Sequence, residues 1–439
     1  GNGSAHMPLS TGRERQNRLY TAGVAGRTPA VPTDFPELEH RALKTMSARA
    51  RAYIAGGAGT GTTMDNNRRA LDRWNIVPRV LRDVSARTTE TELLGLRLPA
   101  PVLFAPVGAG GAVHRQADLL IGQAAATLGL PYIFSNQASV AMEEVAAGMD
   151  RIAPGSPRWF QLYWSTDDDL VDSLLARAER SGASAITVTL DTTLLGWRPQ
   201  DLNLGSLPFS RGIGIGQYTS DSRFRTIVAE RLAAGVAKPD LPITGPSSAL
   251  SALSTLFSIA RNAPGSTLAN LISPEPRTAV TTFTDIYSRE SLNWNDIAGL
   301  PDRTSLPVVL KGVLHPDDAR RAVDLGVAGL IVSNHGGRQV DGAIGAADAL
   351  PAIVDAVDGR AKVLFDSGIR SGSDVFKALA LGADAVCIGR PHMYGLALAG
   401  STGAADVVAN IVAEFDLVMA LSGHCSPETI DRESLWRAT

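Results

Sequence analysis

The chain has 439 residues, 44% hydrophobic and 19% charged, with 41 Lys+Arg against 44 Asp+Glu for a net charge of -3 and a mean hydropathy of +0.04. That composition supplies a large core and excludes disorder, and it lacks the basic field of a nucleic-acid-binding protein or of one drawn to anionic lipid. The two cysteines, Cys387 and Cys425, cannot build a disulfide framework or a Cys-rich metal site. Without an apolar run of about 18 residues no spanning helix is predicted, and a cytoplasmic, reducing location is the expectation.

The opening Gly1-Asn2-Gly3-Ser4-Ala5-His6-Met7 reads as a tag remnant. Residues 8–98 are expected to form a helical segment and cap, ending in the polar–apolar alternation of Thr91 to Leu98. From 99 to 439 apolar, β-rich runs recur, each followed by glycine or polar residues and a helix-like stretch. They are Val102–Val107, Tyr132–Ser135, Trp159–Tyr163, Ala185–Leu190, Pro307–Lys311, Gly329–Ser333, Lys362–Asp366 and Ala385–Gly389. Helical spacing is clearest over Asp317–Leu325 and Gly372–Leu381. An open doubly wound sheet produces the same local alternation, but eight strands close a barrel, and the expected fold is an α/β (β/α)8 TIM barrel.

One interval breaks the rhythm: a long insertion separates the fourth run from the fifth. Residues 198–292 hold Pro239, Pro242, Pro246, Pro264, Pro274 and Pro276 with many Ser, Thr and Gly, which predicts a long loop with short helices at the strands' C-terminal mouth. A lid over a binding site is favoured over a mobile decoration. Within it, Ala249–Ile259 is apolar enough for membrane or partner contact, although packing on the protein's own surface is preferred because only Arg261 lies near for anionic headgroups.

In such a barrel all strand ends meet on one face, so polar residues distant in sequence share a site. Lys311, Ser333-Asn334-His335, Asp366 to Arg370 and Gly389-Arg390 all fall at strand ends. The turns Asp366–Gly372 and Ile388–Pro391 suit phosphate, because glycine lets backbone N–H groups approach an anion and Arg390 offers a two-point pairing; ordinary strand-to-helix turns are the alternative. His335, flanked by glycines, is a candidate general base. Asp191 is placed to orient its imidazole, or else to cap the next helix. Lys311 ends an apolar strand, so unless it points to the surface its ammonium needs a carboxylate or a cofactor edge.

Ser333-Asn334-His335-Gly336-Gly337-Arg338-Gln339, taken with Asp366–Gly372, Ile388–Pro391 and Tyr53-Ile54-Ala55-Gly56-Gly57-Ala58, resembles the FMN-dependent α-hydroxy acid oxidase and dehydrogenase family from about Phe35 to Gly423, apart from the long insertion. Gly196–Leu202, Pro208–Gly212 and Phe365–Gly368 look most like the lactate 2-monooxygenase branch. The resemblance implies FMN as cofactor, no metal, and a homotetramer that oxidises an L-2-hydroxy acid to the 2-oxo acid with oxygen as acceptor, with oxidative decarboxylation where peroxide and oxo acid are retained. It implies that Tyr53, Tyr163, Arg198 and Arg338 bind the substrate carboxylate and hydroxyl, and that His335 takes the hydroxyl proton with Asp191 behind it. By the same resemblance Val107, Gly108, Ser135, Gln161, Thr189, Lys311 and Ser333 line the isoalloxazine or ribityl chain. Asp366 suits the ribityl hydroxyls, and Gly368, Arg370, Gly389 and Arg390 line the phosphate.

The chain departs from the family pattern in three places. Thr60-Gly61 stands where many relatives have an acidic pair, Gln137 where short-chain hydroxy acid oxidases commonly have Trp, and the insertion is longer. An enzyme for a larger 2-hydroxy acid is therefore the second reading, and a non-catalytic flavin-binding protein the third.

Overall fold

The computed structural model describes residues 9–235 and 241–439; the opening heptapeptide read as a tag remnant, and Pro239, lie outside them. The apolar runs form eight parallel strands: β4 (Val102–Phe104), β5 (Tyr132–Phe134), β6 (Arg158–Leu162), β7 (Ile186–Thr189), β8 (Val308–Val313), β9 (Gly329–Val332), β10 (Lys362–Phe365) and β11 (Ala385–Ile388). They close in that order, with β11 returning to β4 through Val386 opposite Val102, so the (β/α)8 barrel stands. The runs are continuously apolar because both faces are covered. Leu103, Ile133, Trp159, Val309, Ile331, Leu364 and Cys387 fill the barrel, while neighbours such as Phe104, Phe160 and Val386 pack outward on helices.

Before the barrel come β1 (Trp74–Ile76), β2 (Thr91–Leu93) and β3 (Leu96–Leu98). The alternation at Thr91–Leu98 is an antiparallel hairpin, β2–β3, whose buried Leu93 and Leu98 join the barrel's interior cluster. It plugs one end and leaves the other for chemistry. The last strand, β12 (Leu435–Arg437), pairs antiparallel with β1 and ties the C-terminal segment to the stretch that follows helix Thr62–Asp72. The expected N-terminal helices span Gly12–Val24, Phe35–Thr45, Ala48–Ala55 and Thr62–Asp72. At Thr60-Gly61, where the resemblance leads one to expect an acidic pair, the Thr60 N–H and hydroxyl, with the Thr62 N–H, donate to the Asp341 carboxylate, which fastens this segment to the loop after β9.

The insertion corrects the expectation of a long loop with short helices. It is largely helical, with Ser222–Ala233, Pro246–Asn262 and Glu275–Ile286 the longest pieces. Three of the prolines that suggested a loop stand at helix starts instead: Pro246 occupies a first helical position, Pro274 is an N-cap and Pro276 lies in a first turn, whereas Pro242 and Pro264 do lie in loops. A first-turn N–H has no partner within its helix, so proline costs nothing there. Nor does Ala249–Ile259 bury its apolar face on the protein, as preferred. Only its end does so, with Ile259 and Ala260 buried, whereas Leu250, Leu253 and Phe257 are at least half exposed. Their spacing of three and four residues, about one helical turn each, puts those three on one face, which points outward.

The insertion's own core is aromatic. Phe283 stacks on Tyr287 at 4.9 Å and meets Phe209 at 5.0 Å and Tyr218 at 4.9 Å. From there Phe209 reaches the Tyr53 ring edge-on at 6.1 Å and Tyr287 reaches Tyr163 at 6.4 Å. Such edge and offset contacts hold rings in place. Rather than a cover standing free of the barrel, this part of the insertion is a wall packed behind two tyrosines of the candidate site.

Candidate active site

The loop after β9 turns on consecutive left-handed residues: His335 at φ 61°, Gly336 at 62° and Gly337 at 74°. Glycine is required at the last two, since a Cβ at Gly336 would stand 2.8 Å from the Arg390 guanidinium and one at Gly337 2.7 Å from Met64. His335 carries the strain of a non-glycine residue there and is stabilised by its N–H donating to the Ser333 hydroxyl at 3.0 Å. Ser367 knits this loop to the one after β10, accepting from the Asn334 and Gly336 N–H groups and donating to Asp366.

His335 Nδ1 lies 2.9 Å from Asp191 Oδ1. Burial pushes Asp191 up, but His335 and Lys311 together hold it below the usual carboxylate range. Being ionised it can only accept, so Nδ1 carries the proton and the Nε2 lone pair is free to take one. Burial lowers His335 below its ordinary 6.5, aided by Lys311 and Arg198 and opposed by Asp191, which keeps the ring neutral near pH 7. Gly312, at φ 110° in a bulge of β8, makes room for the pair: a Cβ there would stand 2.9 Å from Asp191 Oδ2.

Lys311 points inward, not to the surface, with 4% of its area exposed and Nζ 3.6 Å from Asp366 Oδ2. Burial lowers its proton affinity, but Asp366 and Asp191 more than reverse this, so it is an ammonium. The carboxylate partner that the sequence required is Asp366.

These groups open onto one cavity at the strands' C-terminal ends, whose empty space, its open mouth included, is about 900 Å³. Tyr53, Tyr163, Arg198, Arg338 and His335 share it with Val107, Gly108, Gln161, Lys311, Asp366, Gly368, Arg370, Gly389 and Arg390. Arg338 lies over the Tyr53 ring at 4.7 Å and Arg198 at 5.9 Å. Burial, and the neighbouring Arg198, push Arg338 down to about 9. Two buried guanidiniums side by side favour an anion between them.

Ser135, Thr189 and Ser333 stand behind the lining with their hydroxyls engaged. Ser135 accepts from the Gln137 N–H at 3.1 Å and Thr189 from Gln161 Nε2 at 2.8 Å. Arg390 is less free than a two-point anion clamp requires. Three of its N–H groups go to the carbonyls of Ile54, Gly336 and Gly56, and Nη2 also meets Met64 Sδ at 4.0 Å, so most of the guanidinium's five donors are engaged.

Sequence reasoning missed Thr192 and Leu195, which line the cavity from the loop beyond Asp191. Neither carries a chemical signal of its own. It missed Asn67 as well, whose side chain exchanges hydrogen bonds of 2.9 and 2.6 Å with that of Asn334 and so anchors the His335 loop to helix Thr62–Asp72.

The cavity fits a flavin mononucleotide. At one end burial, with Arg68 acting on Arg370 and Arg370 on Arg390, depresses both guanidiniums, the latter to about 10, a setting that favours an anion such as a phosphate. Beside them the Gly389 backbone is open, its nearest neighbour to a Cβ being 3.8 Å away. At the other end the Lys311 ammonium provides positive charge for an electron-rich ring edge.

The closed parallel barrel thus gathers a His–Asp pair and an arginine cluster at its mouth, a site suited to an anionic substrate beside a cofactor. The FMN-dependent dehydrogenase family model matches residues 42–437. An L-lactate oxidase from Lysinibacillus sphaericus is 41% identical over 93% of this chain and 94% of its own length. The FMN-dependent alpha-hydroxy acid dehydrogenase qulF of Penicillium citrinum is 39% identical over 98% and 97%. A solved mandelate oxidase with (S)-4-hydroxymandelic acid superposes with a TM-score of 0.74 at 32% identity, covering 93% of this chain and all of that one. The protein belongs to the FMN-dependent dehydrogenase family and is an FMN-dependent oxidoreductase of 2-hydroxy acids. Among the described residues no helix is long and apolar enough to cross a membrane.

Proposed function

We propose that the protein oxidises an L-2-hydroxy acid to the 2-oxo acid with dioxygen as acceptor, and that it retains peroxide and oxo acid together so that decarboxylation follows. The observation that carries the reading is the His335–Asp191 pair facing Arg198 and Arg338 across one cavity. The two guanidiniums bind the substrate carboxylate, Tyr53 and Tyr163 bind its hydroxyl and carboxylate oxygens, and His335 Nε2 removes the hydroxyl proton. Burial keeps the Tyr163 phenol protonated as a donor. Asp191 stabilises the imidazolium so formed. Bound FMN, held by Lys311, Gln161 and Asp366 along its ring and ribityl chain and by Gly368, Arg370, Gly389 and Arg390 at its phosphate, supplies the two-electron acceptor. Ser135, Thr189 and Ser333 set the residues in front of them.

Similarity to lactate and mandelate oxidases supports oxygen as the acceptor. Retained peroxide would convert the oxo acid to the carboxylic acid one carbon shorter, carbon dioxide and water. Peroxide and carbon dioxide measured per turnover decide between the outcomes: carbon dioxide equal to substrate consumed is expected, and stoichiometric free peroxide without it would leave a simple oxidase. Assembly as a homotetramer in the cytoplasm belongs to the same proposal, and light scattering checks the assembly.

A larger or more polar substrate is the second reading, favoured by Gln137. This residue is 5% exposed, lines the cavity, and its side-chain amide has no partner among the described residues. A panel of lactate, mandelate and longer 2-hydroxy acids tests it, and strong preference for lactate counts against it. The third reading, flavin binding without turnover, falls if any of these acids bleaches the flavin anaerobically.

The pH dependence follows from His335. The base works when neutral, and its proton affinity in the fold is lowered, so activity persists below 6.5 and is lost only as pH falls through the depressed value. The acid limb of kcat/KM is expected below 6.5; a midpoint above it would show that Asp191 outweighs burial.

A further inference from the structure

We propose that Gln339 is a positioning residue whose single amide holds the loop from Asp191 to Arg198 in the register needed for both proton removal and carboxylate binding. The proposal rests on the roles of His335 and Arg198 given above. Gln339 spends its whole hydrogen-bonding capacity on this loop. Its Nε2 donates to the Asp191 and Leu194 carbonyls, each at 2.8 Å, and its Oε1 accepts from the Gly196 N–H at 3.1 Å and from Arg198 Nη2 at 2.7 Å. Two partners only accept and two only donate, so the orientation of the amide is fixed by what surrounds it.

The backbone follows the same line. Arg198 Nε donates to the Arg338 carbonyl at 3.0 Å, and a Cβ at Gly196 would stand 2.7 Å from the Arg338 and Gln339 carbonyl oxygens, so only glycine lets the loop lie this close. Apolar burial does little to hold the loop. Leu194, Leu195 and Trp197 are 62%, 42% and 72% exposed, and among its other ties are the Gly59 N–H to the Trp197 carbonyl, the Ser288 hydroxyl to the Thr193 carbonyl and a hydrogen bond between the Tyr163 and Thr192 side chains. Gln339 therefore clasps the far end of the His335 loop to the strand end that bears Asp191 and to the arginine that meets substrate.

The two halves of the amide serve different tasks. The donor half fixes the backbone of Asp191, and through it the 2.9 Å contact with His335. The acceptor half fixes Arg198. Gln339→Met removes both at similar length. Gln339→Glu keeps an acceptor for Gly196 and Arg198 but presents a carboxylate to two carbonyls.

The test uses FMN-loaded wild type and both variants. Gln339→Met should retain FMN, lose about tenfold or more in the rate constant for anaerobic flavin reduction, and bind pyruvate about tenfold more weakly by perturbation of the flavin spectrum. Gln339→Glu should keep pyruvate affinity and lose rate alone. In protein labelled with 13C-histidine, the His335 titration should move down in Gln339→Met, which adds no charge, as its contact with Asp191 loosens; Lys311 and Arg198 are the other charged groups facing it. A purely structural role would lower thermal stability and leave these readouts in place. Wild-type rate, affinity and titration in Gln339→Met, or equal losses of rate and affinity in Gln339→Glu, would overturn the proposal. Should Gln339→Met fail to fold, Gln339→Glu decides. Should no hydroxy acid reduce the wild type, the functional reading falls, while the titration still judges the clasp: a downward shift supports it and an unmoved one overturns it.

Discussion

His335→Gln is expected to bind FMN normally and to lose about 10²–10⁴-fold in the rate of flavin reduction, the usual worth of a general base. Glutamine can still donate to Asp191 and spans a similar distance, so the loop's left-handed turn and the phosphate end of the cavity are left alone. What disappears is the Nε2 lone pair, which exists because Asp191 is ionised and keeps the proton on Nδ1. Anaerobic mixing of the yellow variant with a hydroxy acid, followed in the visible band, is the measurement. Reduction near the wild-type rate would remove His335 from the chemistry.

Lys311→Met should have the second large effect, and it acts on three quantities together. Asp366, 7% exposed, loses the ammonium 3.6 Å away, and breaking a buried pair costs on the order of 3 kcal/mol. FMN retention should fall, because positive charge is removed where the ring edge is to lie. The pH profile should also move: Lys311 is one of the groups that depress His335, so without it the imidazole rises and the acid limb shifts to higher pH. Absorbance at fixed protein concentration gives FMN content, and kcat/KM against pH gives the shift. Unchanged FMN content and an unmoved limb would show that the ammonium serves neither the flavin nor the base.

The two substitutions separate proton removal from electrostatic support, although both side chains lie near Asp191. That carboxylate is held ionised by both neighbours despite its burial. A site built this way is sensitive to the loop that carries Asp191, and for that reason the clasp by Gln339 and the glycine at position 312 belong to the chemistry as much as the groups that touch substrate.

Much of this was legible in the amino-acid order. The eight strands were readable because a parallel strand covered on both faces is a short continuous apolar run. Their count pointed to closure, and closure gathers the strand ends on one face, so His335, Asp191, Lys311 and Arg390 could be grouped before any coordinates. The insertion was misread because proline is ambiguous in sequence: it breaks a helix interior but suits a first turn, and only the hydrogen bonds that follow show which. Its apolar stretch was assigned to the protein's own surface because composition records how much hydrophobic area a helix has, not which way it faces.

What the sequence by itself determined is the barrel, the family and which polar residues gather at the strand ends, all written in local patterns of a few residues. What only the tertiary structure decided is who holds them: the aromatic wall behind Tyr53 and Tyr163, the carbonyls that occupy Arg390, the amide exchange of Asn67 with Asn334, and the clasp of Gln339. Each joins segments far apart in the chain through one or two directional contacts. Contacts of that kind depend on distance in space, and a linear order of residues carries no periodicity from which to read them.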